Sequence, residues 1–320
     1  MSAPRRARLR ALAKINLDLR VLGKRPDGFH ELRTIFQTIS LADEIEIEFT
    51  PGRRSKVSVE SSPEIVNNLV EQAARLVMEA RGSKGDVAIR LTKNIPMGAG
   101  LGGGSSDAAA VLLALPALTG RALPLPVVCS LAQQLGSDIG FFLLGGRAVG
   151  IGRGGEVFPL PDGPAREGVL VTPEVSVSTA EAYRRLSPQL TSELQENKIF
   201  SFQAHAWETG DPAGGPGPAS VRATNDFEAV VFEQHPALGV LKKRLRRAGA
   251  RPALMTGSGS AVFGLFEDRN GVNRALQLLK DHSAFQISLI SRARYRSMWW
   301  RAMQQHSNGR IWPPPSRYER

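Results

Sequence analysis

Five glycines fall within seven residues, at Gly98, Gly100, Gly102, Gly103 and Gly104, and the run Pro96–Asp107 leads straight into the apolar stretch Ala108–Leu115. Glycine lets a backbone approach a ligand closely and adopt positive φ. A helix that opens at such a loop presents unpaired N–H groups and the positive end of its dipole. Together they form an anion cradle suited to phosphate. The candidate phosphate-binding residues are therefore Met97, Gly98, Ala99, Gly100, Leu101, Gly102, Gly103, Gly104, Ser105 and Ser106. The two serine hydroxyls suit phosphate or a magnesium ion. A tight turn before a capped helix is the plainer reading, but it needs one or two glycines rather than five. No Gly-Lys-Ser/Thr closes the loop, so it is not a Walker A motif. Gly98, Gly100 and Gly103 match G-x-G-x-x-G, yet a dinucleotide fold wants an acid about 20 residues on, and none lies between Ala108 and Ser137. The His-Arg-Asp and Asp-Phe-Gly triplets of protein kinases are absent as well.

Asp138 is the one acid between Ala108 and Gly155, set among glycines and apolar residues in Gly136–Phe142. An isolated carboxylate in such surroundings is a general-base candidate. Capping of a turn by Ser137 or Asp138 is an equal alternative. Lys14 and Asn16 share one face of an alternating segment. A lysine there can pair with a carboxylate and polarise a hydroxyl nucleophile; a solvated strand face is the reading that the pattern alone favours. Lys93, just before the loop, faces nucleotide phosphate or solvent on equal grounds.

These residues need elements to hold them. Ala11–Val21 alternates with period two and predicts a strand. Pro26-Asp27-Gly28 marks a turn, and 44–49 alternates as a second strand. Residues 64–80 predict a helix, and Val87–Leu91 a short strand. A helix follows the glycine loop, another spans 127–135, and glycine-rich strands run to about Gly155. Beyond the junction at 159–164, an αβ alternation resumes. Val169–Val177 reads as a strand and Thr179–Leu186 as a helix. Residues 225–248 are helical with a break near Pro236. Ala253–Phe266 reads strand, turn, strand. A helix over 270–281 and a strand over Gln286–Ile290 complete the pattern. Residues 208–220 are Pro/Gly-rich, and 295–320 show no clean period.

The chain's 320 residues, 42% of them apolar, suffice for about two domains with real cores. The net charge of +11 raises the question of nucleic acid or an anionic membrane. Its distribution matters more. Residues 1–10 carry four arginines and no acid, and residues 292–320 carry seven against Glu319, so the body between them is close to neutral. A single cysteine, Cys129, excludes a disulfide framework and predicts a reducing, cytoplasmic setting. The longest apolar stretch, Ala108–Leu118, contains Pro116 and is about half the ~20 residues that a membrane span needs. Lys14, Asn16, Asp18 and Arg20 interrupt the apolar residues near the start, so no signal-peptide core exists there. The arginine-rich start also matches an organelle transit peptide, but it runs directly into a core strand.

Taken together, seven strings resemble the galactokinase/homoserine kinase/mevalonate kinase/phosphomevalonate kinase (GHMP) superfamily. They are Ala13–Leu17, Arg25–His30, Ile95–Ala110, Leu135–Phe142, Val177–Tyr183, Thr224–Glu228 and Met255–Phe263, in order over roughly residues 9–290. The glycine-rich loop is common to the superfamily. Lys14-Ile15-Asn16 and Asp27-Gly28-Phe29-His30 narrow the resemblance to the branch whose substrate carries a cytidine diphosphate.

The resemblance implies an α+β, two-domain GHMP kinase fold. Its N-terminal domain would be ribosomal protein S5 domain 2-like, its C-terminal domain ferredoxin-like, and its active site would lie in the cleft between them. The boundaries drawn on it are 1–158, 159–291 and a basic, aromatic-rich tail over 292–320. The activity implied is ATP- and Mg2+-dependent phosphorylation of the 2-hydroxyl of 4-diphosphocytidyl-2-C-methyl-D-erythritol, in the non-mevalonate route to isoprenoid precursors. On that likeness Asp138 is the base, with Lys14 beside it. Lys93 and Asn68 lie near the adenosine. Phe29 and Tyr183 sandwich the cytosine, with His30, Asn16 and Thr179 as further substrate contacts. Gly257–Ser260 closes over the phosphate and substrate side. No protein ligand of magnesium is assigned; Ser106 is the candidate by residue type. The expected partner is the small-molecule substrate, without membrane or nucleic acid, on a monomer or weak homodimer. A homoserine or mevalonate kinase is the alternative within the family. Nucleic-acid binding through the basic termini is the alternative outside it. Two departures stand out. Phe29 replaces the tyrosine of many relatives, and the tail beyond about Arg292 has no counterpart in the pattern, while the 208–220 segment is longer than usual.

Overall fold

The structure, a computed structural model, describes residues 3–120, 122–186, 198–206 and 223–306. The Pro/Gly-rich segment 208–220 and the aromatic and proline residues Trp312–Pro315 lie outside the described residues.

The first sheet contains β1 (Arg5–Lys24), β2 (His30–Pro51), β3 (Lys56–Ser62), β4 (Gly85–Thr92), β5 (Arg147–Gly152) and β6 (Glu156–Pro159). Strand β2 is its spine. It pairs with β1 along most of its length, with β5 over Leu32–Gln37 and with β4 over Glu44–Pro51. All pairs are antiparallel except β3 with β4, which helix α1 (Leu69–Arg81) connects as a crossover. Alternation decides the two faces of the long strands. Ile45, Ile47, Val87 and Ile89 point into a core shared with α1 and α2 (Gly103–Leu118). On the other face Arg6 and Arg8 pair with Glu48, Glu44 and Glu46, and Arg90 pairs with Glu60. The arginine-rich start is thus no free appendage. It forms the first rungs of β1; Arg6 and Arg8 are matched across the sheet, and Arg5 and Arg10 donate to Leu118 O and Ser40 O. Helix α2 is buried from Ser106 to Leu118, as a helix apolar on all sides should be. Helices α3 (Leu125–Leu135) and α4 (Ile139–Leu144) pack beside it.

The second sheet contains β7 (Glu167–Val171), β8 (Ala253–Met255), β9 (Val262–Phe266) and β10 (Ala284–Ser288) in the antiparallel order β10-β7-β9-β8. Helices α5 (Thr179–Leu186), α6 (described over 198–206), α7 (Phe227–Gln234) and α8 (Pro236–Arg247) lie between β7 and β8 in the chain, and α9 (Arg269–Leu278) between β9 and β10. This succession and strand order are those of a ferredoxin-like fold. One face of the sheet buries Val169, Val171 and Val262 against Leu238, Leu241 and Leu245. The other buries Leu170, Phe263 and Ile287 against Ala13, Ile15 and Leu17 of β1.

That second contact changes the reading of β1. Its alternation predicts one buried and one polar face, but residues Ala11–Leu22 are all buried. Lys14 and Asn16 line an internal cavity, and Asp18 and Arg20 meet Thr224, Lys198 and Ser201, so none of the four faces open solvent as a strand surface would. Residues 292–303, expected to belong to an irregular tail, form helix α10 (Arg292–Met303), which returns to the first sheet and buries Trp299 and Met303 in its core. Among the described residues no helix is long and apolar enough to cross a membrane.

Candidate active site

Strand β1 delivers the first two functional side chains. Its pairing with β2 slips by two residues between Leu12 and Lys14 and by one between Asn16 and Asp18. Such irregularities re-aim side chains, and they are common beside active sites. Lys14 Nζ lies 2.8 Å from Asn16 Oδ1 and 3.6 Å from Asp138 Oδ2. Its ammonium is buried, and burial lowers its pKa, partly opposed by the neighbouring Asp138. Asn16 Oδ1 also accepts from the Thr256 hydroxyl (3.1 Å) and from Gly257 N (2.9 Å), while its amide donates to Thr34 Oγ1 (2.7 Å). Asn16 therefore ties the lysine, both sheets and the second glycine loop together.

The phosphate-type loop is held between these two sheets. Lys14 N donates to Leu101 O at 3.0 Å. Ala99 and Leu101 turn their side chains into the core, so only their backbone faces outward. Gly102 (φ +69°) starts α2, and a Cβ there would stand 2.8 Å from the ring of Phe142. Gly100 (φ +77°) is tighter still, since a Cβ would meet Thr256 O at 2.3 Å. The loops 98–104 and 256–260 thus pack backbone against backbone. The first N–H groups of α2 have no intrahelical acceptor, and Ser105 beside them lines the cavity.

Asp138 stands at the start of the six-residue helix α4, yet its side chain makes no capping hydrogen bond. The turn-capping alternative therefore does not describe it. Its carboxylate is about one-third exposed and faces Lys14 across the cleft. A cavity of about 1500 Å³ opens in front of this pair. Lys14, Asn16 and Asp138 line it together with Gly100, Gly102 and Ser105. Phe29, His30, Thr179 and Tyr183 line its other part. There the His30 ring stacks on Tyr183 at 4.7 Å and 21°. Burial, followed by the charge of Asp138, pushes the Tyr183 phenol up to about 12, and burial followed by Lys24 lowers His30. Phe29 is half exposed, with the Arg153 guanidinium 3.8 Å above its ring. Thr179 Oγ1 and Ser258 Oγ stand 2.7 Å apart.

The profile of the GHMP kinases N-terminal domain matches residues 68–146, and that of the GHMP kinases C-terminal domain matches residues 218–283. Over 322 residues and 99% of both chains, the sequence is 62% identical to the 4-diphosphocytidyl-2-C-methyl-D-erythritol kinase of Solibacter usitatus (strain Ellin6076). The chain is a GHMP kinase. It belongs with the 4-diphosphocytidyl-2-C-methyl-D-erythritol kinases. The enzyme of that name from Geobacter sulfurreducens (strain ATCC 51573 / DSM 12127 / PCA) is 40% identical over 87% of this chain and 96% of its own. A crystal structure of 4-(cytidine 5'-diphospho)-2C-methyl-D-erythritol kinase superposes with a TM-score of 0.72 at 37% identity, covering 88% of this chain and 98% of that one.

Within this GHMP kinase the expected residues do not all share the cavity. Asn68 caps α1, accepting from Val70 N at 3.0 Å, and its buried Nδ2 has no hydrogen-bond partner. An orphaned amide of this kind suits a purine nucleotide that supplies an acceptor. Lys93 faces neither solvent nor an open phosphate site. Its ammonium sits beneath Gly103, between the buried carboxylates of Asp43 and Asp107, 2.7 Å from the latter. Burial lowers its pKa, but the two acids raise it further, and burial pushes Asp107 up to about 7. Ser106 is no open metal ligand, because it is buried and its hydroxyl donates to Leu12 O at 2.7 Å. Asn16 is largely saturated by protein partners, leaving one amide hydrogen for any substrate contact. Sequence reasoning assigned no role to Thr256, Arg153 or Asn225, whose amide holds Met255 O and Gly257 O at 2.8 Å. For Arg153 and Thr256 the available signal was a polar residue beside glycine; Asn225, flanked by Thr224 and Asp226, carries no such mark.

Proposed function

We propose that this chain transfers the γ-phosphoryl group of ATP to the 2-hydroxyl of 4-diphosphocytidyl-2-C-methyl-D-erythritol, releasing the 2-phosphate and ADP. The observation that carries this reading is the pair Lys14–Asp138, 3.6 Å apart, set in one cavity between the start of α2 and an aromatic group. Asp138 takes the hydroxyl proton as the oxygen bonds to the γ-phosphorus, and the bond from phosphorus to the β–γ bridging oxygen breaks toward ADP. Lys14, held in place by Asn16, orients the hydroxyl and balances charge on the transferred group. Such a transfer asks the protein chiefly for positioning and electrostatic stabilisation. Backbone N–H groups of the 98–104 loop and of α2 hold the phosphates, and Asn68 Nδ2 meets the adenosine. Magnesium bound with ATP would supply further charge neutralisation; among the described residues no three His, Cys, Asp or Glu gather to bind a metal. Cytosine enters between Phe29 and Tyr183, which requires His30 to leave the tyrosine face and reach the edge of the base.

The test is Asp138→Asn assayed with ATP and the cytidyl alcohol, beside homoserine and mevalonate. The folded variant is expected to lose at least ~100-fold in kcat, and the wild type to consume only the cytidyl alcohol. Near-wild-type turnover by Asp138→Asn, or preference for another alcohol, would overturn the reading.

A further inference from the structure

Helix α4 has only six residues, too few to hold its own conformation. Its last carbonyls need partners from outside. Phe141 O accepts from Gly145 N at 2.8 Å, and Phe142 O accepts from the Tyr295 hydroxyl of α10. The two glycines after α4 admit α10 to direct backbone contact. A Cβ on Gly145 would stand 2.3 Å from the Tyr295 ring, and one on Gly146 would stand 2.6 Å from Arg292 Cβ. Arg292 is itself anchored. Its N–H donates to Asp162 Oδ2 at 2.9 Å and its guanidinium to Leu160 O at 3.1 Å. Gly146 N is held by Thr38 Oγ1 at 3.0 Å. Toward the active site, the Phe142 ring fills the space a Cβ on Gly102 would need, and the Phe141 ring lies 4.9 Å from that of Phe36. Burial pushes the Tyr295 phenol pKa up, so its hydroxyl stays a donor across the neutral range.

We infer that α10 is a positioning element of the phosphoryl-transfer site: Tyr295 fixes the carboxyl end of α4 and thereby the placement of Asp138 against Lys14. This rests on the reading of Asp138 as the base. Tyr295 touches no reacting atom; it acts through α4.

Four variants of the full chain test it: Tyr295→Phe, Tyr295→Leu, Asp138→Asn and Tyr295→Phe combined with Asp138→Asn, with exposed Arg301→Ala of α10 as control. Tyr295→Phe is expected to lower kcat about 10-fold, the scale of a small misplacement of a reacting group. Both KM values should stay within about twofold, and in the Asp138→Asn background the same change should alter the residual rate by less than about twofold. Arg301→Ala should match the wild type. Unchanged kcat in folded Tyr295→Phe and Tyr295→Leu would overturn the inference, because Asp138 would then be placed without α10. An equal loss in both backgrounds would also overturn it, since the effect would not pass through the carboxylate. Wild-type turnover in Asp138→Asn alone would bring down the base assignment, and this inference with it, and needs no Tyr295 variant to recognise.

Discussion

A single asparagine does much of the joining at this site. Asn16 Oδ1 collects donors from Lys14, Thr256 and Gly257, so the lysine, the first sheet and the second glycine loop share one acceptor. Gly100 serves the same junction by having no side chain. Its φ of +77° is one that residues with a Cβ rarely adopt, and Thr256 O stands where that Cβ would go. Gly100→Ala is therefore expected to cost about 1–3 kcal/mol, measured by urea unfolding, from backbone strain and the separation of the two loops. Gly104 lies in the same run but inside α2, with Leu69 Cδ1 its nearest neighbour at 3.8 Å. Gly104→Ala should be neutral or gain up to about 1 kcal/mol, because there the methyl group only removes freedom from the unfolded chain. Equal losses at both positions would show that the loop tolerates neither for some reason other than this contact.

Elements were legible in the sequence where a single period governed them, and less so where two layers meet. The alternating apolar residues of β1 divide between two cores: Ala7, Leu9 and Ala11 enter the first, whereas Ala13, Ile15 and Leu17 lie against the ferredoxin-like sheet, which is more than a hundred residues away in the chain. The Lys14–Asn16 face is enclosed because it lines the cavity between the sheets. Likewise Lys93 reads as a free cation in sequence, while Asp43 and Asp107 close around it in space. Helix α10 is the opposite case. Tyr295, Met298, Trp299, Ala302 and Met303 follow helical spacing, but arginines and Trp300 among them hide the stripe. Helix α6 is an element whose docking depends on charge. Arg20 reaches its Ser201, Lys198 pairs with Asp226 at 2.6 Å, and His205 Nε2 lies 4.0 Å from Asp18. Burial, then Arg20 and Arg147, lowers His205 from 6.5 to about 4. The unfolded chain thus takes up this proton at higher pH than the folded chain. Stability from His205 is lost as pH falls from about 6.5 toward about 4. Asp18, pushed up to about 6 chiefly by burial, works in the opposite direction over the lower part of that window. Comparison with His205→Gln isolates the histidine: the variant's loss of unfolding free energy between pH 7 and pH 5 should be smaller by about 2 kcal/mol. Parallel losses in the two proteins would mean that His205 titrates normally in the fold.

At the scale of the molecule, the basic ends that supply most of the +11 are not free appendages among the described residues. Arg6 and Arg8 balance glutamates across the first sheet, and Arg292 is tied to Asp162 and to backbone carbonyls. The chain crosses twice between its layers: residues up to Pro159 build the first sheet, Glu167–Ser288 the second, and α10 returns to the first. A return of this kind makes the first core incomplete without residues near the carboxyl end. Trp299 is the measure of that dependence, since it is buried among the residues of α2 and the first sheet. Trp299→Ala is expected to destabilise the protein by about 3–5 kcal/mol, the usual cost of emptying a large core site. Trp299→Phe should cost clearly less. It keeps most of the ring volume, and the indole Nε1 that it removes is buried with no hydrogen-bond partner, so no bond is lost with it. Urea unfolding of the two variants checks the pair. A Trp299→Ala protein as stable as the wild type would show that α10 lies on a core already complete, and removal of 292–320 would then be harmless to the fold.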